Sequence, residues 1–185
     1  MARIRTAILD FIRHRVVPVR KPDQVIGGSD RPYMLRWFLI PKNRLFNIYL
    51  HQFLRDDDDR ALHDHPWASM SYVLETGYWE HTPKGRFWRA PGAVVFRRAT
   101  AQHRIALLRD EGVPETWGGM SAWTIFITGP NVRQWGFHCQ HGFVHWRDFT
   151  SQDGNSIGAG CDQSANDNAA EIIPLQRRQG GGHNG

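Results

Sequence analysis

Short apolar and aromatic runs broken by turn residues fill the middle of the chain, from about Tyr33 to Phe149. The clearest are Asn47–Leu54, Ser69–Leu74, Gly77–His81, Ala93–Phe96, His103–Leu108, Ala122–Thr128 and Gln134–Cys139. Gly77, Pro83-Lys84-Gly85, Pro91-Gly92, Gly118-Gly119 and Gly129-Pro130 separate them. Many short strands at this spacing, with no long helical period between them, predict an all-β antiparallel sandwich or barrel. Upstream the pattern changes. Ile4, Ile8, Phe11 and Ile12 share one helical face beside Arg3, Arg5, Arg13 and Arg15, which predicts a helix laid against the domain. After Thr150 the chain turns to Gly, Asn, Ser, Gln and Asp, with only Ile172, Ile173 and Leu175 to bury. That composition predicts a flexible tail. The expected organisation is therefore a helical N-terminal extension over 1–30, one β-domain over 31–150 and a tail over 151–185.

Composition refines this reading only in places. The 185 residues suit one domain with a full core. Eight tryptophans predict a core or pocket walled by large rings. No apolar run approaches the ~18 residues of a membrane span, and the basic N-terminus lacks the apolar stretch and cleavage site of a secretory signal. The net charge of +5 comes from scattered arginines without a nucleic-acid motif, so no nucleic-acid partner is expected. Cys139 and Cys161 cannot make a disulfide-dense scaffold, and Cys161 falls in the tail. A reducing, cytoplasmic setting is the expectation.

Chemistry concentrates in His63-Asp64-His65 and in His103, 38 positions further on. On a strand, His63 and His65 would point the same way about 6–7 Å apart, from the ~3.3 Å rise per residue. A third imidazole from a neighbouring strand would complete a facial three-nitrogen site on a divalent metal and leave coordination positions open.

The surroundings of these histidines resemble the paired motifs of the cupin superfamily. In the first motif a glutamate and then a glycine follow the histidine pair. Met70 and Gly77 stand at those offsets, so the glycine is in place and the acid is not. In the second motif Gly92 and His103 hold the ends, with Arg98 and Thr100 replacing proline and glycine. The longer wording Leu62-His63-Asp64-His65-Pro66-Trp67, Arg97-Arg98 and Trp135-Gly136-Phe137-His138 is similar to cupin-like proteins of bacterial and phage genomes. The resemblance implies a small single-domain jelly-roll barrel binding one divalent metal through His63, His65 and His103. It also implies an outer-sheet homodimer. The missing glutamate makes the site similar to the three-histidine dioxygenases, so Fe(II) is preferred, with Zn, Mn or Ni as alternatives. The implied function is a non-haem dioxygenase acting on a small polar or anionic molecule. The alternatives are a sugar-nucleotide isomerase or epimerase using a histidine base and a tyrosine acid, and a non-catalytic binding protein.

Around the metal ligands, Tyr72 and Leu74 are expected to face inward, and Tyr72, Glu80 and His81 are candidates for acid–base chemistry. His51, Trp67 and Arg98 are candidates to contact substrate. His51 can serve as a proton shuttle or as a structural histidine. Either Arg97 or Arg98 can face the cavity, since alternation admits only one, and an inward arginine would grip a carboxylate or phosphate. Glu75 and Glu80 are possible replacements for the absent ligand, while Met70 reads as core filling. Asp56 to Asp59 lack the spacing and turn glycine of a calcium loop and read as a solvated segment. His138, His141 and His145 read as surface histidines on a strand–turn–strand. Ser121 lacks the final glycine of a nucleophile elbow.

Overall fold

The computed structural model describes residues 2–57, 61–108, 120–150 and 160–163. The Gly118-Gly119 turn, Asp58, Asp59 and most of the expected tail lie outside the described residues. The N-terminal stretch forms α1 (Ala2–Phe11), continued by a π-helical turn over Ile12–Val16. The strands are β1 (Gln24–Ile26), β2 (Met34–Phe38), β3 (Asn47–Phe53), β4 (Leu62–His63), β5 (Ser69–Glu75) and β6 (Tyr78–Thr82). They continue with β7 (Gly85–Arg89), β8 (Val94–Arg97), β9 (Arg104–Leu107), β10 (Ala122–Thr128), β11 (Gly136–Cys139) and β12 (Gly142–His145). A short helix α2 (Trp146–Phe149) follows.

Three antiparallel sheets result: β1-β2-β3-β10-β5-β8, β12-β11-β4 and β7-β6-β9. A lone bridge between His63 and His103 joins the two smaller ones. Each of these residues donates its backbone N–H to the other's carbonyl at 2.9 Å. The second layer is thus a six-strand array with a seam at its centre, facing the first as in a jelly roll. Gly77 turns β5 into β6 at φ +84°, where a Cβ would lie 2.6 Å from the Arg89 carbonyl oxygen. Only glycine fits there.

Alternation divides the side chains of the large sheet. Its inner face joins the second layer in a cluster of Met34, Phe53, Val73, Tyr78, Ile105, Leu107 and Ala122. Its outer face is covered by Leu9 and Ile12 of the N-terminal stretch, packed on Trp37, Leu50, Leu74 and Trp123. Arg5 donates to the Leu74 carbonyl at 3.0 Å, and Arg13 pairs with Glu75. The helix is therefore docked, but through Ile8, Leu9 and Ile12, while Ile4 and Phe11 of the expected apolar face are exposed. It also corrects the expectation for β5. Tyr72 and Leu74 pack in the helix-facing cluster, whereas Ser71 and Val73 face inward. The inward row of β5 is Ser69, Ser71 and Val73, while the apolar Tyr72 and Leu74 are covered by the helix, so hydrophobic alternation pointed to the wrong face.

Two further expectations change. Cys139 and Cys161 are bonded to each other, with Cα atoms 5.6 Å apart, and Cys161 lies in a 3₁₀ turn, Gly160–Gln163. That turn packs on the cluster of Ala61, Phe137 and Phe149. The pairing removes the premise on which a reducing compartment was expected. Asp56 and Asp57 are not simply solvated. Asp56 accepts the Leu107 N–H at 2.7 Å and Asp57 the Ile105 N–H at 3.4 Å, pinning the free edge of β9. Among the described residues no helix is long and apolar enough to cross a membrane.

Candidate metal centre

The two histidines of the pair do not share a strand. His63 ends β4, and His65 sits in the loop that follows. Asp64, between them, points the opposite way and is buried. Its carboxylate accepts the Gly136 N–H at 3.1 Å, pairs with Arg133 at 2.8 Å and meets His138 Nε2 at 3.1 Å. That anchor to β11 fixes the loop and so the aim of both flanking imidazoles. His138 is accordingly a tether on the β11–β12 hairpin.

His103 comes from the far side of the seam. The ligand atoms of His63, His65 and His103 lie within 4.8 Å of one another, and the Nε2 atoms of His65 and His103 are 2.9 Å apart. Two nitrogens bonded at ~2.1 Å and at a right angle to one another would be about 3.0 Å apart, so this pair suits a facial arrangement. A tetrahedral angle would need about 3.4 Å by the same bond lengths.

Carboxylates stand behind two of the rings. Asp57 lies 3.3 Å from His63 Nδ1, and Glu80 lies 3.3 Å from His103 Nδ1. Both contacts are too oblique for aligned hydrogen bonds, and both Nδ1 atoms are otherwise buried without a partner. An acceptor at Nδ1 favours the tautomer that leaves Nε2 free to ligate. Burial, with the charges of His63, His103, Arg97 and Arg36, holds the His65 pKa well below its ordinary value. Burial also pushes His103 down to about 3, with Glu80 pulling the other way. Both rings are thus neutral near pH 7, as metal ligation requires. The donor set fits a divalent ion.

Aromatic rings enclose the histidines. His65 stacks between Trp67 and Trp135, each 5.9 Å away between centroids, and His63 sits 5.6 Å from Phe137. Trp67 therefore walls the site, while its indole N–H is buried without a partner.

The other candidates separate. Glu80 is buried, but as the hub of an ion network rather than as an exposed acid. Arg97 Nε donates to it at 2.5 Å, Arg89 pairs with its second oxygen, and Arg97 also donates to Ser71 and Tyr78. Burial alone would raise the Glu80 carboxyl, but the His103 contact and the Arg97 charge hold it well below the ordinary range. Arg97 is the inward arginine of the pair, and its charge is already matched. Arg98 is exposed in line with Val94 and Phe96 and borders a shallow cleft with Phe46 and Met70. His81 faces away from the layer interior beside Arg104, 3.5 Å from it. Tyr72 lies on the helix side. His51 is buried, stacked 5.0 Å from Phe126, and accepts Arg36 Nε at 2.9 Å. Arg36 escaped the sequence reading, Asp57 was read there only as part of a solvated segment, and Trp135 only as part of the longer wording.

Among solved structures the chain is similar to a DMSP lyase, DddQ, from Ruegeria pomeroyi at 11% identity and a TM-score of 0.45, covering 64% of this chain and 57% of that one. It is similar to a double-stranded β-helix protein from Klebsiella pneumoniae at 11% identity and a TM-score of 0.44, covering 62% and 91%. A cupin domain from Bordetella pertussis shares 15% identity at a TM-score of 0.39, covering 55% and 98%. The chain thus spans little more than half the length of the lyase. Likeness at this level carries no argument about chemistry, which rests on the site itself. No family model matches the sequence, and no curated protein matches it.

Proposed function

We propose that this protein is a metalloenzyme that holds one divalent cation on His63, His65 and His103 and acts on a small polar or anionic molecule. The carrying observation is the convergence of three imidazoles, with carboxylates behind two of them. Three neutral ligands leave a metal its full 2+ charge, which draws anionic or chelating molecules. Bound Fe(II) would supply oxygen activation, and a mononuclear non-haem dioxygenase is our preferred reaction class; bound Zn would supply Lewis-acid chemistry instead.

The chain's own residues have defined tasks in this reading. The charges of Asp57 and Glu80 beside Nδ1 favour the tautomer with Nε2 free, Asp64 fixes the loop, and Trp67, Trp135 and Phe137 keep bulk water from the rings. The isomerase alternative gains no support, since Tyr72 lies across the sheet and Arg97 is bound to Glu80.

Metal analysis of protein purified without added metal tests the proposal. We expect about one iron per chain, oxygen uptake on a substrate panel, and loss of metal in His103→Ala. Metal-free wild-type protein, or an unchanged metal content in His103→Ala, would overturn it. Stoichiometric zinc would replace the dioxygenase with Lewis-acid chemistry.

A further inference from the structure

The large sheet carries a cross-strand row on its inner face: Gln24, Arg36, His51 and Thr124 stand opposite one another on β1, β2, β3 and β10. Arg36 shares its face of β2 with Met34, which packs between the layers, while Leu35 and Trp37 pack on the helix side. Its guanidinium is therefore directed into the interlayer space.

The partners of Arg36 are all neutral. Nε donates to His51 Nε2 at 2.9 Å, Nη1 donates to Gln24 Oε1 at 3.1 Å, and the guanidinium lies 4.8 Å from the centre of the Tyr49 ring. Because His51 accepts at Nε2, it holds Arg36 as a neutral ring. Burial pushes the Arg36 pKa down to about 10, opposed by Tyr49 and Tyr33, and among the described residues no carboxylate acts on it. Arg97 on the same face shows the contrast, with Glu80, Ser71 and Tyr78 around it. A half-buried cation without a counter-charge is destabilising on its own.

Other buried polar groups also lack partners. Thr124, directly across from His51, is 1% exposed and its hydroxyl has no partner. The Trp67 indole N–H beside His65 and the inward Ser69 hydroxyl are likewise unpaired. His65 is within reach of the Arg36 charge, and Phe126 touches both His51 and His65.

We infer that Arg36 is the receptor for a carboxylate on the ligand of the histidine site. This rests on the metal reading above and narrows its substrate class. The ligand is a small molecule with a carboxylate at one end and a metal-binding donor at the other. The guanidinium edge left free by His51 and Gln24 matches a planar carboxylate in two parallel hydrogen bonds. Arg36 is thereby a substrate-binding residue, and His51 and Gln24 are its positioning residues.

Calorimetric titration of cobalt-loaded and metal-free protein tests this, using glycolate, 3-hydroxypropionate, 4-hydroxybutanoate, their amides and inorganic phosphate. We expect at least one acid to bind wild type about tenfold more tightly than its amide. Arg36→Gln should lose that preference with cobalt stoichiometry unchanged, and Arg36→Lys should restore part of it. The melting temperature of Arg36→Gln should equal or exceed that of wild type, which a merely structural arginine would not allow. Equal acid affinity in wild type and Arg36→Gln, no preference for any acid over its amide, or phosphate binding above every acid would overturn the inference. Arg36-dependent acid binding in a protein that takes up no cobalt would uphold the anion site and sink the metal reading. Cobalt uptake without Arg36 dependence would do the reverse.

Discussion

The space between the two layers has two ends built by the same strands and the same alternation, yet they are chemically opposite. At one end Met34, Phe53, Val73, Tyr78, Ile105, Leu107 and Ala122 form an apolar cluster. At the other are three histidines, the neutral-partnered Arg36, and the unpaired polar groups of Thr124, Ser69 and Trp67. Glu80 stands at the boundary, and its network ties Tyr78 of the apolar end to His103 of the polar end. The contrast puts apolar burial at one end and unsatisfied polar groups at the other, and such groups weaken a fold that gains nothing else from them.

Acid should break this division most completely. His51, His65 and His103 all have pKa values lowered on folding. Below the unfolded value of 6.5 the unfolded chain binds protons that the native chain does not, so stability falls as pH drops from 6.5 toward about 3. The Glu80 carboxylate, depressed in the fold, acts in the same direction below its ordinary 4.5. Urea midpoints at steps from pH 7.5 to 4 should fall steadily, and a flat profile would mean that these groups are not buried as neutral rings and an ion pair.

Removing the boundary charge is the next largest effect. Glu80→Gln leaves Arg97 buried without its counter-ion and should cost about 3–5 kcal/mol in chemical unfolding. A cost below about 1 kcal/mol would show that Arg97 is compensated by something else. Cutting into the apolar end tests the independence of the two ends. Leu107→Ala should cost about 2–5 kcal/mol from the lost contacts and the cavity, while metal content per folded molecule stays at the wild-type value. At the small extreme, Arg98→Ala should change stability by no more than about 0.5 kcal/mol and leave metal binding intact. Loss of metal in that variant would restore Arg98 to the site.

The legibility of the sequence follows the same division. Strands such as Asn47–Phe53, Ser69–Glu75 and Ala122–Thr128 matched their apolar runs because period and turn residues agreed. The histidine cluster was legible because its residues bring rare chemistry at informative spacing. The direction of Tyr72 was hidden because the helix buries the more apolar row of β5, leaving Ser69 and Ser71 to face inward. The role of Glu80 depended on a non-local contact with His103, which no local pattern encodes. Arg36 was obscured in another way: a lone arginine in an apolar strand has the same spelling whether it salts a surface or faces an interior. The Cys139–Cys161 bond required a turn in a segment whose composition argued for none.

The seam in the second layer has a mechanical consequence. His63 and His103 stitch the two half-sheets with their backbones and present their rings from the same points. An ion gripped by both rings would therefore act as a rivet across the weakest line of that layer. Any shear that slides one half past the other would be felt first as a change in grip on the cargo.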